Sequence, residues 1–119
     1  MTFEKQEGKE DDLQTSCMQW LQYAHPDVLA FHVPNGGNRS AREGAKFKRM
    51  GVLAGVPDIL IITPKGGFNG FAVELKVKGG KVSELQNKCL KRFEACNFKI
   101  LVCWSFDEFE FEVNEYLKK

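Results

Sequence analysis

Apolar residues recur three and four positions apart in several stretches of the chain, the spacing that places them on one face of an α-helix. This pattern predicts helices over residues 10–23, 40–50 and 83–95, and a last helix that Ser105 caps with Glu108 at the capping-box position. The apolar stripes expected to face the core are Leu13, Cys17, Trp20 and Leu21 in the first helix, Leu85, Cys89, Leu90 and Phe93 in the third, and Phe106, Phe109, Val113 and Leu117 in the last.

Short apolar runs between these helices predict β-strands over residues 28–33, 59–62, 71–77 and 99–104. Because 99–104 is almost continuously apolar, we expect this strand to be central in the sheet. Alternation in the third strand places Phe71, Val73, Leu75 and Val77 on one face, and Ala72, Glu74, Lys76 and Lys78 on the other. The order of elements predicts an α/β fold, with a mixed central sheet of about four strands flanked by helices.

The candidate chemistry is an aspartate at the start of one apolar strand and a Glu-x-Lys on the next. The Gly-rich connection 63–70 predicts a hairpin, which would bring Asp58 close to Glu74. Two carboxylates can hold a hard divalent cation, typically Mg²⁺ or Mn²⁺, which polarises a phosphoryl oxygen and supplies a hydroxide-like nucleophile near neutral pH. Lys76 can orient or help to deprotonate the attacking water, or stabilise charge growing on phosphorus. The alternative is a cross-strand ion pair on a solvated sheet face.

These residues resemble the core of the PD-(D/E)xK nucleases, written here as Pro57-Asp58 and Glu74-Leu-Lys76. More narrowly, the chain resembles the VRR-NUC branch of that superfamily. The runs that carry this resemblance are His32-Val-Pro-Asn-Gly36, Gly51-Val-Leu-Ala-Gly-Val-Pro-Asp58, and Val73-Glu-Leu-Lys76 followed by Ser83-Glu-Leu-Gln86. The likeness runs from about Glu10 to Trp104. It implies a restriction-endonuclease-like core and a Mg²⁺- or Mn²⁺-dependent endodeoxyribonuclease that cuts branched DNA such as four-way (Holliday) junctions. It also implies that stand-alone members act as homodimers.

The resemblance assigns roles within the site. Asp58 and Glu74 would bind the metal together with the backbone carbonyl of Leu75, and Lys76 would act on the nucleophile. An acid on the first helix would complete the metal site, and the spacing to Gln14 and Trp20 favours Glu10 over Asp11 or Asp12. Acids are also common in a first helical turn because they oppose the helix dipole, which is the competing explanation of Glu10.

Gln86 has two explanations. The resemblance makes it a catalytic residue that positions water or phosphate. The run Ser83-x-x-Gln86 is also a capping box, which would use the glutamine side chain at the start of its own helix. His32 is expected to be a phosphate contact or a support for the metal ligands, since Lys76 makes a histidine base unnecessary.

Charge is unevenly distributed along the chain. The net charge is only +1, but residues 1–12 and 105–119 each hold two lysines against five acids, whereas 13–104 hold thirteen bases against six acids, or +7. The basic middle could contact successive DNA phosphates, and glycines near Asn35 would let the backbone approach them. The alternative is a solvated helix face. The predicted DNA-binding residues are Asn35, Arg39, Arg42, Lys46, Lys48, Arg49, Lys78 and Lys81.

Length and composition predict one small domain over residues 1–119, since 119 residues with 43% hydrophobic content can bury a single core. No apolar run suits a membrane span or signal peptide, so we expect a cytoplasmic protein. The cysteines are too widely spaced to suggest a zinc site or a disulfide framework, and we expect reduced core residues at Cys17, Cys89, Cys96 and Cys103.

Two other functions share these features. A restriction-type endonuclease would have the same metal site and differ in base-reading loops. A catalytically silent DNA-binding module would need the basic surface but no metal, and the intact Asp58, Glu74 and Lys76 count against it. Core packing is the favoured use of Tyr116 and Phe111 on the last helix, and dimer contact is the alternative.

Overall fold

The computed structural model describes residues 9–34 and 40–118. Within this part of the chain, four helices and four strands alternate in an α/β arrangement, as expected. Their bounds are α1 Lys9–Ala24, β1 Ala30–His32, α2 Ala41–Arg49, β2 Ile59–Ile61, β3 Gly70–Leu75, α3 Glu84–Ala95, β4 Phe98–Cys103 and α4 Phe106–Leu117.

The sheet is mixed and has the strand order β1-β2-β3-β4. The pairs β1/β2 and β2/β3 are antiparallel, and β3/β4 is parallel because α3 carries the chain back across the sheet. In the β2/β3 register, Ile59 lies opposite Val73 and Ile61 opposite Phe71. The predicted mixed sheet of about four strands and the hairpin between β2 and β3 are therefore confirmed.

The prediction that the 99–104 strand is central was wrong. Strand β4 pairs with β3 alone among the described strands and lies at the sheet edge. Helices α3 and α4 pack against β4. Their contact explains why the strand is apolar, although a central place in the sheet would have produced the same pattern. The most buried strand is β3, in which all six residues are buried, including Glu74.

The core lies between β3 and the helices α1 and α4. Cys17 and Leu21 of α1 and Phe109 and Val113 of α4 pack with Phe71, Val73 and Leu75 of β3. Tyr116 is also buried, and its hydroxyl donates a 2.7 Å hydrogen bond to the Thr63 carbonyl, which fixes α4 to the hairpin. Tyr116 is therefore a core residue and no dimer contact, whereas Phe111 is exposed.

Two further burial predictions were wrong. Leu85, expected on the inward face of α3, is 57% exposed. It lies on the same helix face as the buried Cys89 but one turn earlier, where α3 has no buried residue. Cys96 lies exposed at the C-cap of α3, beyond the face that packs on the sheet, while the other three cysteines are buried. All four carry free thiols, as expected. None of the described helices combines the length and apolar character of a membrane span.

Gly55 occupies a conformation and a space that exclude a side chain. Its φ is +84°, and a Cβ placed on it would lie 2.8 Å from the carbonyl carbon and oxygen of Leu85. The segment before Asp58 therefore packs directly against the first turn of α3. Gly67 has nearly the same φ, +86°, but a Cβ there would meet nothing within 4 Å.

We expect Gly55→Ala to destabilise the protein more than Gly67→Ala. Both substitutions carry the cost of a left-handed backbone, about 1–2 kcal/mol, but only Gly55→Ala adds an overlap with α3, which costs about 1–3 kcal/mol more. Urea unfolding of both variants measures the difference. Equal losses of unfolding free energy would show that the contact with Leu85 yields at no cost.

Candidate active site

Asp58 and Glu74 lie at the end of the β2/β3 hairpin ladder. Continuing the register beyond Ile59 and Val73 sets Asp58 opposite Glu74. The Asp58 Oδ2 accepts a 2.8 Å hydrogen bond from the Leu75 amide, which holds the carboxylate beside β3. The structure thus brings the two predicted acids together, and their catalytic and metal-binding roles stay predictions.

Glu74 and Lys76 form a buried ion pair. The Lys76 Nζ lies 3.3 Å from Glu74 Oε2, with 8% of the lysine side chain and 1% of the glutamate side chain exposed. Neither carboxylate oxygen of Glu74 has a hydrogen-bond partner of acceptable geometry among the described residues. A solvated sheet face, the alternative drawn from the sequence, does not describe this pair, although Lys78 farther along is exposed.

Burial perturbs the acid–base behaviour of Glu74. The pKa of its carboxyl is raised from 4.5 to about 7. Loss of solvation is the largest cause, the Asp58 charge also raises the pKa, and the Lys76 ammonium opposes both. Glu74 is therefore poorly disposed to carry its charge near neutral pH unless further positive charge approaches it.

Glu10 lies in the first turn of α1 and is half-buried. Burial raises the pKa of its carboxyl, Lys76 lowers it, and Asp58 and Asp11 raise it again. The charges of Lys76 and Asp58 therefore act on the Glu10 carboxyl. Asp11, the next residue, is exposed to solvent. These facts distinguish Glu10 from Asp11 but not from Asp12, which is also half-buried, and the role of Glu10 in the site stays a prediction. Even so, no three His, Cys, Asp or Glu side chains in the described ranges group closely enough to hold a metal ion.

Gln86 forms the capping box that its spacing predicted. Its Oε1 accepts a 2.8 Å hydrogen bond from the Ser83 amide, and Ser83 Oγ accepts one of 3.1 Å from the Gln86 amide. The side-chain oxygen is therefore used within α3, which leaves the NH₂ group as the end that can serve a substrate. The contact of Gly55 with the same helical turn places Gln86 beside the segment that leads to Asp58.

His32 contacts Asp58, which agrees with one of the two roles expected of it, the support of a predicted metal ligand. Its Nδ1 lies 2.7 Å from the Asp58 carbonyl oxygen, which also accepts a 3.0 Å hydrogen bond from the Val33 amide. Because a carbonyl only accepts, Nδ1 carries the proton in this contact. His32 thus ties β1 to the main chain of Asp58. The sequence could not identify the Asp58 carbonyl as the partner of His32, because it does not show that β1 pairs with β2.

Exposed basic side chains lie on two segments, helix α2 and the stretch that follows β3. Helix α2 contributes no buried residue, and Arg42, Lys46, Lys48 and Arg49 are all exposed on it. Lys78 and Lys81 are exposed after β3. This exposure suits both DNA contact and the solvated-helix alternative. Asn35 and Arg39, the remaining predicted DNA contacts, lie outside the described residues.

The chain is similar to known nuclease domains over most of its length. The VRR-NUC domain model matches residues 8–107. A solved VRR-NUC domain protein superposes with a TM-score of 0.75 at 26% identity, covering 92% of this chain and 88% of that one. A second solved VRR-NUC domain gives 0.58 at 21% identity, with 91% and 97% covered, and supports the fold alone. No curated protein sequence matches.

The raised pKa of Glu74 predicts how the metal-free protein responds to pH. A raised acid pKa gives stability that is complete below the unfolded value near 4.5 and is lost as pH rises through about 7. Unfolding free energy measured in EDTA should therefore fall from about pH 5 to about pH 8 by on the order of 3 kcal/mol more in the wild type than in Glu74→Gln. Parallel pH profiles for the two proteins would contradict the burial cost.

Proposed function

The chain belongs to the VRR-NUC family, and we propose that it is a Mg²⁺- or Mn²⁺-dependent endodeoxyribonuclease that hydrolyses phosphodiester bonds in branched DNA. Family membership gives the nuclease-type function. The metal, the branched substrate and the residue roles are our proposal. The observation that carries it is the buried carboxylate of Glu74, which lies beside Asp58 and Lys76 and lacks a hydrogen-bond partner among the described residues.

The donor set suits a hard divalent cation. Mg²⁺ and Mn²⁺ prefer carboxylate and carbonyl oxygens. The buried carboxylate of Glu74 has one ion pair, with Lys76, and no hydrogen-bond partner among the described residues, so it has ligand capacity that these residues do not use. Asp58 and Glu74 would hold the ion, with Glu10 and the Leu75 carbonyl as further ligands. The cation would neutralise buried negative charge, polarise the scissile phosphate and make water a better nucleophile.

Lys76 is the residue that we assign to the reacting atoms. Its ammonium group is held beside Glu74 at 3.3 Å and is almost wholly shielded from water. A cation fixed in a site of low polarity stabilises a developing phosphate charge strongly, because it needs no reorganisation when the charge appears. The ammonium can also donate a hydrogen bond to the attacking water and so orient it.

The remaining residues position the DNA and the ligands. The amide NH₂ of Gln86, which is not used by the capping box, can donate to water or to a phosphate oxygen. His32 holds the main chain of Asp58. Exposed Lys and Arg side chains on α2 and after β3 would neutralise backbone phosphates and fix the register of the strand in the site.

Branched DNA and a homodimer complete the proposal. One active site cuts one strand, so two symmetric cuts in a four-way junction are most simply made by a two-fold dimer. Support for this comes from the family resemblance. A restriction-type enzyme would share every residue of the metal site and differ only in which substrate it selects.

The substrate is tested with a labelled four-way junction, a flap and a linear duplex, each incubated with Mg²⁺, Mn²⁺ or EDTA. We expect cleavage of the branched forms with either metal, little cleavage of the linear duplex, and none in EDTA. Cleavage that persists in EDTA would contradict the metal requirement. Equal cutting of all three, or cutting of linear DNA at a single sequence, would contradict the branched-DNA proposal.

Lys76 is tested by Lys76→Ala, with Lys78→Ala as the matched control two positions along the chain. Loss of the buried ammonium should lower the cleavage rate by on the order of 100-fold or more, while binding of the junction is largely kept. Lys78 is exposed, so its removal should weaken binding and leave turnover near the wild-type rate. Thermal unfolding checks that each variant is folded, and Lys76→Met preserves volume if the alanine variant is not. Comparable turnover by a folded Lys76 variant would remove this residue from the mechanism.

A further inference from the structure

An apolar hollow lies beside the candidate active site, between the end of α2 and the start of α3. Its volume is about 570 Å³. This lies within the range of about 300–1,000 Å³ found for small-ligand sites. The side chains that line it are mainly apolar and include one cation. We refer to it as the α2–α3 hollow, and its principal lining residues are Phe47, Lys48, Val52, Leu53, Ala54 and Leu85.

Local sequence explains one wall of the hollow. The Gly51 amide donates to the Lys48 carbonyl at 3.1 Å and the Val52 amide to the Phe47 carbonyl at 2.9 Å, with Gly51 at φ +102°. This pair of hydrogen bonds is a Schellman motif, which folds the chain back so that the residue after the glycine meets the last turn of the helix. Phe47 and Val52 therefore line the same wall.

The apolar side chains of the hollow are open to solvent. Val52 is 41% exposed, Leu53 45% and Leu85 57%. Contiguous exposed apolar residues of this kind mark binding surfaces more often than isolated ones do. Leu85 in particular lies in the first turn of α3, where the helix has no buried residue, so its side chain is open to solvent.

The hollow adjoins the catalytic segment. Leu85 directly precedes Gln86, and its carbonyl lies against Gly55, three residues before Asp58. Residues 52–54, which form part of the wall, lead without interruption to the same aspartate. A group held in the hollow would thus contact the two segments that lead directly to Asp58 and to Gln86.

Charge indicates the chemistry of the occupant. Helix α2, which forms one side of the hollow, presents four exposed basic residues against the single acid Glu43, and one of the four, Lys48, lines the hollow itself. An apolar surface bordered by cations complements a nucleotide, whose base has an apolar face and whose phosphate is anionic. A hydrophobic protein segment would match the hollow but leave this charge without a counterpart.

We propose that the α2–α3 hollow receives an unpaired nucleobase of the bound DNA, with Phe47, Val52, Leu53 and Leu85 against the base and Lys48 at an adjoining phosphate. This inference rests on the proposed function and adds a source of substrate selectivity. Extracting a base from a duplex costs unstacking energy, which is least for a nucleotide that is already unpaired. A branch point supplies such nucleotides and a linear duplex does not.

The test measures binding of junction and flap DNA by fluorescence anisotropy in EDTA, where the proposal expects no cleavage. Single abasic nucleotides are placed in turn at each position around the branch, so that one base is removed while every phosphate stays. Wild-type protein should lose about fivefold or more in affinity at one or two adjacent positions, the loss expected for a stacked base. Leu53→Ser should bind intact DNA more weakly and be insensitive to the same abasic positions.

Leu29→Ser is the matched control, since Leu29 is 60% exposed, directly precedes β1 and is not among the residues that line the hollow. It should keep both the affinity and the abasic pattern of the wild type. Salt dependence gives a second readout: Lys48→Ala should reduce the slope of affinity against salt by about one, whereas Leu53→Ser should leave the slope unchanged.

The outcomes separate this inference from the proposed function. Wild-type protein that binds branched DNA but shows no sensitive abasic position, or a Leu53→Ser variant that keeps the wild-type pattern, would overturn the base site alone. A change of oligomeric state in Leu53→Ser with an unaltered abasic pattern would make the hollow a self-association surface and overturn it as well. Failure of the wild type to bind any DNA would overturn both proposals.

Discussion

A carboxylate buried in the most enclosed strand of the sheet is the constraint on which the rest of the site depends. Glu74 lies on β3 with 1% of its side chain exposed, and Lys76 at 3.3 Å is the one cation with which it forms an ion pair in the described structure. Burial of an ionised carboxylate costs several kcal/mol, which a single ion pair offsets only in part. A buried ion pair of this kind is weak evidence for a stabilising role, and a bound cation would supply the positive charge that the Glu74 carboxylate lacks.

The surrounding fold positions the second acid against this strand from several directions. The antiparallel register brings Asp58 to Glu74, the Leu75 amide holds its carboxylate, and His32 with Val33 holds its carbonyl. Gly55 lets the first turn of α3 approach the same segment. Each contact uses the main chain or a short side chain, so the position of Asp58 is set by the sheet and not by a mobile loop.

Sequence periodicity was sufficient for the element types, the hairpin and the Ser83 capping box, because these depend on neighbours within a few residues. It failed where distant packing decides the outcome. The apolar character of β4 comes from helices on its faces and does not indicate central position. The exposure of Leu85 depends on where the start of α3 lies relative to the sheet. The partner of His32, the Asp58 carbonyl, depends on strand order, although a supporting contact was expected of this residue. The burial of Tyr116 agrees with the core packing that the sequence favoured. The acids of the site were identified by motif, whereas the desolvation of Glu74 could be seen only in three dimensions.

The central claim is that Glu74 and Asp58 together form a site for a divalent cation. Calorimetric titration of Mn²⁺ into the wild type and into Asp58→Asn and Glu74→Gln variants, all without DNA, tests it most directly. The account predicts that the wild type binds Mn²⁺ more tightly as pH rises through about 7, where Glu74 becomes ionised, and that each substitution removes this binding. Equal Mn²⁺ affinity in all three proteins would contradict it.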